Sequence, residues 1–161
     1  MNDWKPELNA IVGARHGGAG EAIIKRLQEL DTKYPHVPEI SLQLAWSLEV
    51  TGKHVEALAH YEKALMLGIP APSEHANALI GLGNCQRLAG QPSQAIETLR
   101  TGTTLFPENR EFEAYLALAL HAAGRYAEAV RTLVTVLVET SEDNGIRAYQ
   151  RSLRHEASRL T

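Results

Sequence analysis

Seven histidines and one cysteine are the residues of this 161-residue chain best suited to metal or nucleophilic chemistry. The histidines are His16, His36, His54, His60, His75, His121 and His155. A helical zinc site wants two histidines four residues apart with a glutamate beside them. No pair here has that arrangement, and His54 and His60 are six apart on different faces of the local structure. They read as surface histidines, and no metal is expected. Cys85 lies in LGNCQRLAG, mid-helix among core positions. A nucleophilic thiol needs a neighbouring base and a positive helix N-terminus, so Cys85 reads as a buried thiol. Being alone, it forms no internal disulfide. Glu142–Asp143 sits in a turn, where paired carboxylates solvate or cap a helix. The run HGGAGE at 16–21 lacks the GxGxxG spacing and the Walker lysine, and no strand precedes it. It reads as a turn between helices. No serine stands in a nucleophile elbow. No catalytic residue and no cofactor are expected, and the chain is not read as an enzyme.

Composition narrows the class further. Hydrophobic residues make up 44% and charged residues 22% of the chain, which is ordinary for a globular domain with a continuous core. The net charge of −3 gives no chain-wide reason to expect nucleic acid or an anionic membrane as partner. Charge is uneven, because Arg147, Arg151, Arg154 and Arg159 face only Glu156 in the last 18 residues. The N-terminal MNDWKPELNA has no basic region followed by an apolar run. Apolar stretches are broken well short of the ~18 residues a membrane span needs. A soluble, cytoplasmic protein is expected.

The elements come from a repeat. Aligned on Gly52, Gly90 and Gly124, the chain shows Ala57, Ala95 and Ala129 at the same offset, then Tyr61, Leu99 and Leu133, then Ala64, Gly102 and Val136. Steps of four and three put each set on one helical face. Leu44–Ala45, Leu82–Gly83 and Leu116–Ala117 precede the glycines at a common distance. Their small residues let two helices approach closely. Gly90 and Gly124 are 34 residues apart, while Gly52 and Gly90 are 38 apart, the extra length falling in the loop GIPAPS. One helix pair cannot bury its apolar face alone, so each must stack on the next. Glycine at the turn supplies the left-handed conformation that ends the first helix.

A helix–turn–helix of this length and pattern resembles the tetratricopeptide repeat. Leu82–Gly83, Gly90, Ala95 and Pro107 match that motif nearly position for position, and the resemblance covers about residues 38–142. It departs where Trp46 follows Leu44 instead of preceding it, and where Gly102 and Val136 replace the usual second-helix alanine. The run from Ala64 to Leu99, with LALALHAAGRYAEAV and a closing basic helix, is similar to small stand-alone bacterial tetratricopeptide proteins. That group is defined by its repeats and not by an activity. The resemblance implies an all-α, right-handed superhelical stack of antiparallel helix pairs, with about three to four repeats and a C-terminal capping helix. It implies a protein–protein interaction scaffold that holds a peptide or protein segment in its concave groove. The alternative is a homodimer that self-associates through the groove or the terminal helices.

In chain order, residues 1–35 read as a degenerate first repeat. Asp3 is expected to cap a helix from Trp4 to about Arg15, Gly17, Gly18 and Gly20 make the turn, and a second helix runs over Glu21–Lys33. Repeats follow at 38–67, 76–107 and 110–139. A last helix over 144–160 carries Ile146, Tyr149, Leu153, Ala157 and Leu160 on one stripe. It reads as the polar-faced cap that a terminal repeat needs, or else as a partner-binding or dimerising helix.

The first helix of each pair should line the groove. Away from the core positions this selects Gln43, Trp46 and Glu49 in one repeat. It selects Asn77, Ile80, Asn84 and Arg87 in the next, and Tyr115 and Leu118 in the last; Leu42 and Gly81 fall on the same faces. Trp46 and Tyr115 offer apolar area with a polar handle. Asn77 and Asn84 could bond an extended backbone through donor and acceptor, and Arg87 could hold a carboxylate. Trp46 has a second reading, as packing for the first repeat. A clamp for chaperone C-termini needs Lys, Asn and Arg at fixed groove positions. In this chain those positions hold Leu8, Val12, Gln43, Asn77 and Gly81, or, one repeat on, Leu42, Trp46, Gly81, Glu111 and Tyr115. Neither set makes that clamp.

Overall fold

The computed structural model describes residues 3–17 and 20–161; Gly18 and the His16 side chain lie outside what is described. The described elements are helices throughout. They run α1 (Trp4–Gly13), a 3-10 turn (Ala14–Gly17), α2 (Gly20–Lys33), α3 (Pro38–Val50), α4 (His54–Leu67), α5 (Pro72–Leu88), α6 (Pro92–Leu105), α7 (Glu111–Ala122), α8 (Tyr126–Thr140) and α9 (Asn144–Ser158). Successive helices pack as antiparallel pairs, α3 with α4, α5 with α6, and α7 with α8, and each pair stacks on the next.

The three aligned glycines end α3, α5 and α7 in the same way. Gly52, Gly90 and Gly124 have φ of +82, +78 and +76°. The following amide reaches back five residues each time, Lys53 to Leu48, Gln91 to Gln86 and Arg125 to Leu120, at 2.8–2.9 Å. This is the six-to-one closure of a Schellman turn, and a side chain with a Cβ would strain it. Proline at the first turn of α3, α5 and α6 starts those helices where a missing N–H has no partner to lose.

The repeat alanines are core. Ala45, Ala57, Ala64, Ala95, Ala117 and Ala129 are buried, as are Tyr61 and Leu99. Where a glycine stands instead, a bulky partner fills the space. A Cβ on Gly83 would meet Leu99 Cγ at 2.6 Å, and one on Gly102 would overlap the ring of Phe112.

Several expectations are corrected. Asp3 makes no capping bond, and α1 stops at Gly13 before tightening into a 3-10 turn. Leu42 is buried, and Leu133, expected in the core, is exposed. Tyr149 is also exposed, although Ala157 on the same helix is buried. His54 and His60 do not sit wholly at the surface, since the Nδ1 atom of each is buried. Among the described residues, no helix is long and apolar enough to cross a membrane.

Candidate binding groove

Three first helices, α3, α5 and α7, contribute to one elongated hollow. Trp46 and Glu49 come from α3, Asn77, Ile80 and Asn84 from α5, and Tyr115 from α7; the hollow holds about 580 Å³. Tyr61 and His54 of α4 form part of its lining. These six expected residues meet there because their helices are parallel neighbours in the stack, each repeating the last at nearly the same offset. Gln43 lies in a smaller recess of about 230 Å³ that shares Trp46 and Asn77 with the main one. Arg87 and Leu118 do not line either recess. Leu118 is exposed, and Arg87 acts from behind the wall.

A hydrogen-bonded chain stiffens that wall. The Tyr61 hydroxyl donates to Glu49 Oε2 at 2.5 Å, and Asn84 Nδ2 donates to Glu49 Oε1 at 2.9 Å. Arg87 Nη2 donates to Asn84 Oδ1 at 2.8 Å. Burial, and then the bond to Glu49, push the Tyr61 hydroxyl well above the usual tyrosine range, so it stays protonated and donating. Asn84 is therefore committed at both ends of its amide. It fixes Glu49, and a peptide backbone bonding to it would have to exchange with those bonds. Asn77 is exposed at the rim.

Arg15 is a contribution that the expected groove residues did not include. Its guanidinium lies over the Trp46 ring, 4.4 Å from the centroid. Nη2 donates to the Gln43 carbonyl at 3.0 Å and to Ser47 Oγ at 3.1 Å. Burial lowers its pKa. Trp46 is thus held on one face by Arg15 of the 3-10 turn and still borders three hollows, so it both packs against the N-terminal segment and remains half exposed. Arg15 belongs to the 3-10 turn, yet it stands 34 positions before Glu49, so the repeat offset was a signal that could have pointed to it.

The Cys85 thiol is buried and its pKa is pushed up to about 12, chiefly by desolvation and then by the charge of Glu49. Among the described residues, no group of three or more His, Cys, Asp and Glu side chains is placed to hold a metal ion.

Comparison with known proteins follows the same lines. The family described as "Tetratrico peptide repeat" matches residues 38–160. No curated protein matches the chain. Among solved structures, the fold is similar to "MamA 41-end from Desulfovibrio magneticus RS-1", with a TM-score of 0.76 and 16% identity, covering 98% of this chain and 90% of that one. It is similar to a second MamA structure with a TM-score of 0.74 and 18% identity, covering 99% and 89% of the two chains. It also resembles YrrB, titled "a TPR protein with an unusual peptide-binding site", with a TM-score of 0.73 and 17% identity, covering 98% and 81%. At such identities the likeness is one of fold.

Proposed function

The chain belongs to the tetratricopeptide-repeat family, and from that premise we propose that it is a protein–protein interaction scaffold that holds a peptide or protein segment in the groove of α3, α5 and α7. The observation that carries this reading is the hollow of about 580 Å³ built by three successive first helices. It combines aromatic area at Trp46 and Tyr115 with an immobilised carboxylate at Glu49. A wall held by Tyr61, Asn84 and Arg87 does not need ordering when a ligand arrives, which leaves more of the contact energy as affinity. Aromatic anchors in a preformed recess are the usual carriers of that energy. YrrB, of similar fold, has a described peptide-binding site, and that adds support by analogy of fold. Binding here rests on shape and a few polar contacts and takes place without a cofactor.

The test is selection from a phage-displayed random dodecapeptide library. Peptides enriched on the wild type should lose at least tenfold in affinity for a Trp46→Ala, Tyr115→Ala variant of unchanged helicity. Peptides that bind both proteins equally would place recognition elsewhere, and no enrichment at all would count against the groove as a binding site.

A further inference from the structure

The C-terminal end of the stack is built differently from its interior. Residues 126, 130, 133 and 137 of α8 stand 34 positions after 92, 96, 99 and 103 of α6, and 72 after 54, 58, 61 and 65 of α4. In the inner repeats this face is covered. Ile96 is 4% exposed, and Leu99 and Tyr61 are 0% and 1% exposed. On α8 the matching Val130 and Leu133 are 47% and 45% exposed, and Tyr126 and Leu137 are open too.

The reason is where α9 packs. Val138 on α8 is only 5% exposed, whereas its counterpart on α4, Met66, is 81% exposed. Arg131 of α8 donates to the carbonyls of Ala157 and Leu160, and Arg154 of α9 pairs with Glu139. So α9 lies on a side of α8 that the inner second helices turn to solvent. It does not take the seat of a following first helix, and that seat stays empty. The cap expected from the sequence covers one face of α8 and leaves another bare.

From this we infer that two copies of the chain pair through the open face of α8. Tyr126, Val130, Leu133 and Leu137 step by four, three and four, the spacing of a seam that packs on another helix. No charged residue lies in it. The charged groups of α8 are already committed within the chain: Glu128 to Arg100 and Arg125, Glu139 to Arg110 and Arg154, and Arg131 to the two carbonyls of the α9 end. A partner chosen by charge has nothing to read there. An uncharged apolar stripe is complementary to itself about a two-fold axis, since no like charges meet. That axis runs the two α8 helices antiparallel and sets Leu133 of each copy near Val130 of the other.

Size sets the class of interface. Four roughly half-open side chains present about 400 Å² per copy, at the scale of a patch that marks an interaction site. Two such stripes bury roughly 800 Å², short of the ~1,200 Å² of a standard stable interface until flanking atoms join. The dimer therefore falls at the weak, transient end of interface sizes. It uses none of the groove residues, so a dimer presents two open grooves and can hold a two-site partner by avidity.

Sedimentation equilibrium between about 1 and 500 µM tests this on the full chain. The wild type should rise from the 17.7 kDa monomer toward twice that mass. Leu133→Glu and Val130→Lys should each weaken association at least tenfold at unchanged helicity, because both positions are exposed. Met66→Glu, at an apolar and still more open site on α4, should leave association unchanged. An equimolar mixture of the Leu133→Glu and Val130→Lys proteins should recover dimer, which pairing between copies requires and a foreign occupant does not. A constant monomer mass, a dimer indifferent to Leu133→Glu, or a mixture that stays monomeric overturns the inference. So does a monomer that binds another protein's helix on this face.

Discussion

Gly102→Ala gives a prediction whose sign opposes the pattern of the repeat. Alanine is the usual residue at this second-helix position, and in an unconstrained helix interior it would stabilise by about 0.5–1 kcal/mol over glycine. In this chain the added Cβ lands on Phe112, which is fully buried on α7. Even the third-nearest ring atom, Cζ, would be 2.6 Å away, against a carbon–carbon optimum of about 3.5–4.0 Å. The ring must move by more than an ångström, and it is not free to do so. It lies parallel to Phe106 at 6.1 Å, and Phe106 in turn meets the edge of His75. Overpacking of a tight core costs about 1–3 kcal/mol. Three ring atoms in collision put this case near the upper end, so the net loss is roughly 2 kcal/mol. At ~2–4 °C per kcal/mol for a chain of this size, the melting temperature falls by about 4–8 °C. Urea unfolding followed by circular dichroism reads the free energy. Adding Phe112→Leu removes the collision, so the double variant should lose at least ~1 kcal/mol less than the sum of the single losses. A Gly102→Ala protein as stable as the wild type, or more so, would falsify the claim that Phe112 fixes this glycine.

Three further outcomes follow from the same contacts. Tyr61→Phe leaves Glu49 Oε2 without its donor in a half-buried wall and should lower stability by about 1–2 kcal/mol, with Glu49→Gln recovering part of that in the double variant, as urea midpoints would report. Burial holds the His60 pKa below its ordinary value near 6.5. The unfolded chain therefore binds that proton first, and stability present above pH ~6.5 is lost as pH falls below it. His60→Gln should flatten that slope in urea titrations at several pH values. Cys85, with its pKa near 12, should resist Ellman's reagent at pH 8 in the native protein and react promptly in denaturant; prompt native labelling would contradict its burial.

Much of the fold is legible in the sequence because the repeat writes the same steric demand several times. Gly52, Gly90 and Gly124 share an offset because each ends a helix in a left-handed turn, and Ala57, Ala95 and Ala129 share one because each sits where helices cross. The same logic failed at Leu133. Its offset is that of Tyr61 and Leu99, but burial depends on the neighbouring helix, and α9 packs on another side of α8. Offsets also grouped Trp46, Asn77, Asn84 and Tyr115, which lie on successive first helices and line one hollow. They could not say which polar groups remain free. Asn84 is tied to Glu49 and Arg87, a matter of side-chain reach across helices and not of register. Arg15 stands 34 positions before Glu49, so the offset points to the groove side, but its place over Trp46 comes from a 3-10 turn where the other repeats continue the helix, and that contact is not written in register.

The groove itself is tested most directly by titrating uniformly 15N-labelled protein with a library-selected peptide and following side-chain N–H signals. The two tryptophans make this informative, because Trp46 borders the hollow and Trp4 lies on α1. Saturable shifts of the Trp46 indole and the Asn77 and Asn84 side-chain amides are expected, with the Trp4 indole unmoved. Shifts at the Trp4 indole or along α8, with Trp46 and both asparagines unchanged, would contradict binding in the groove.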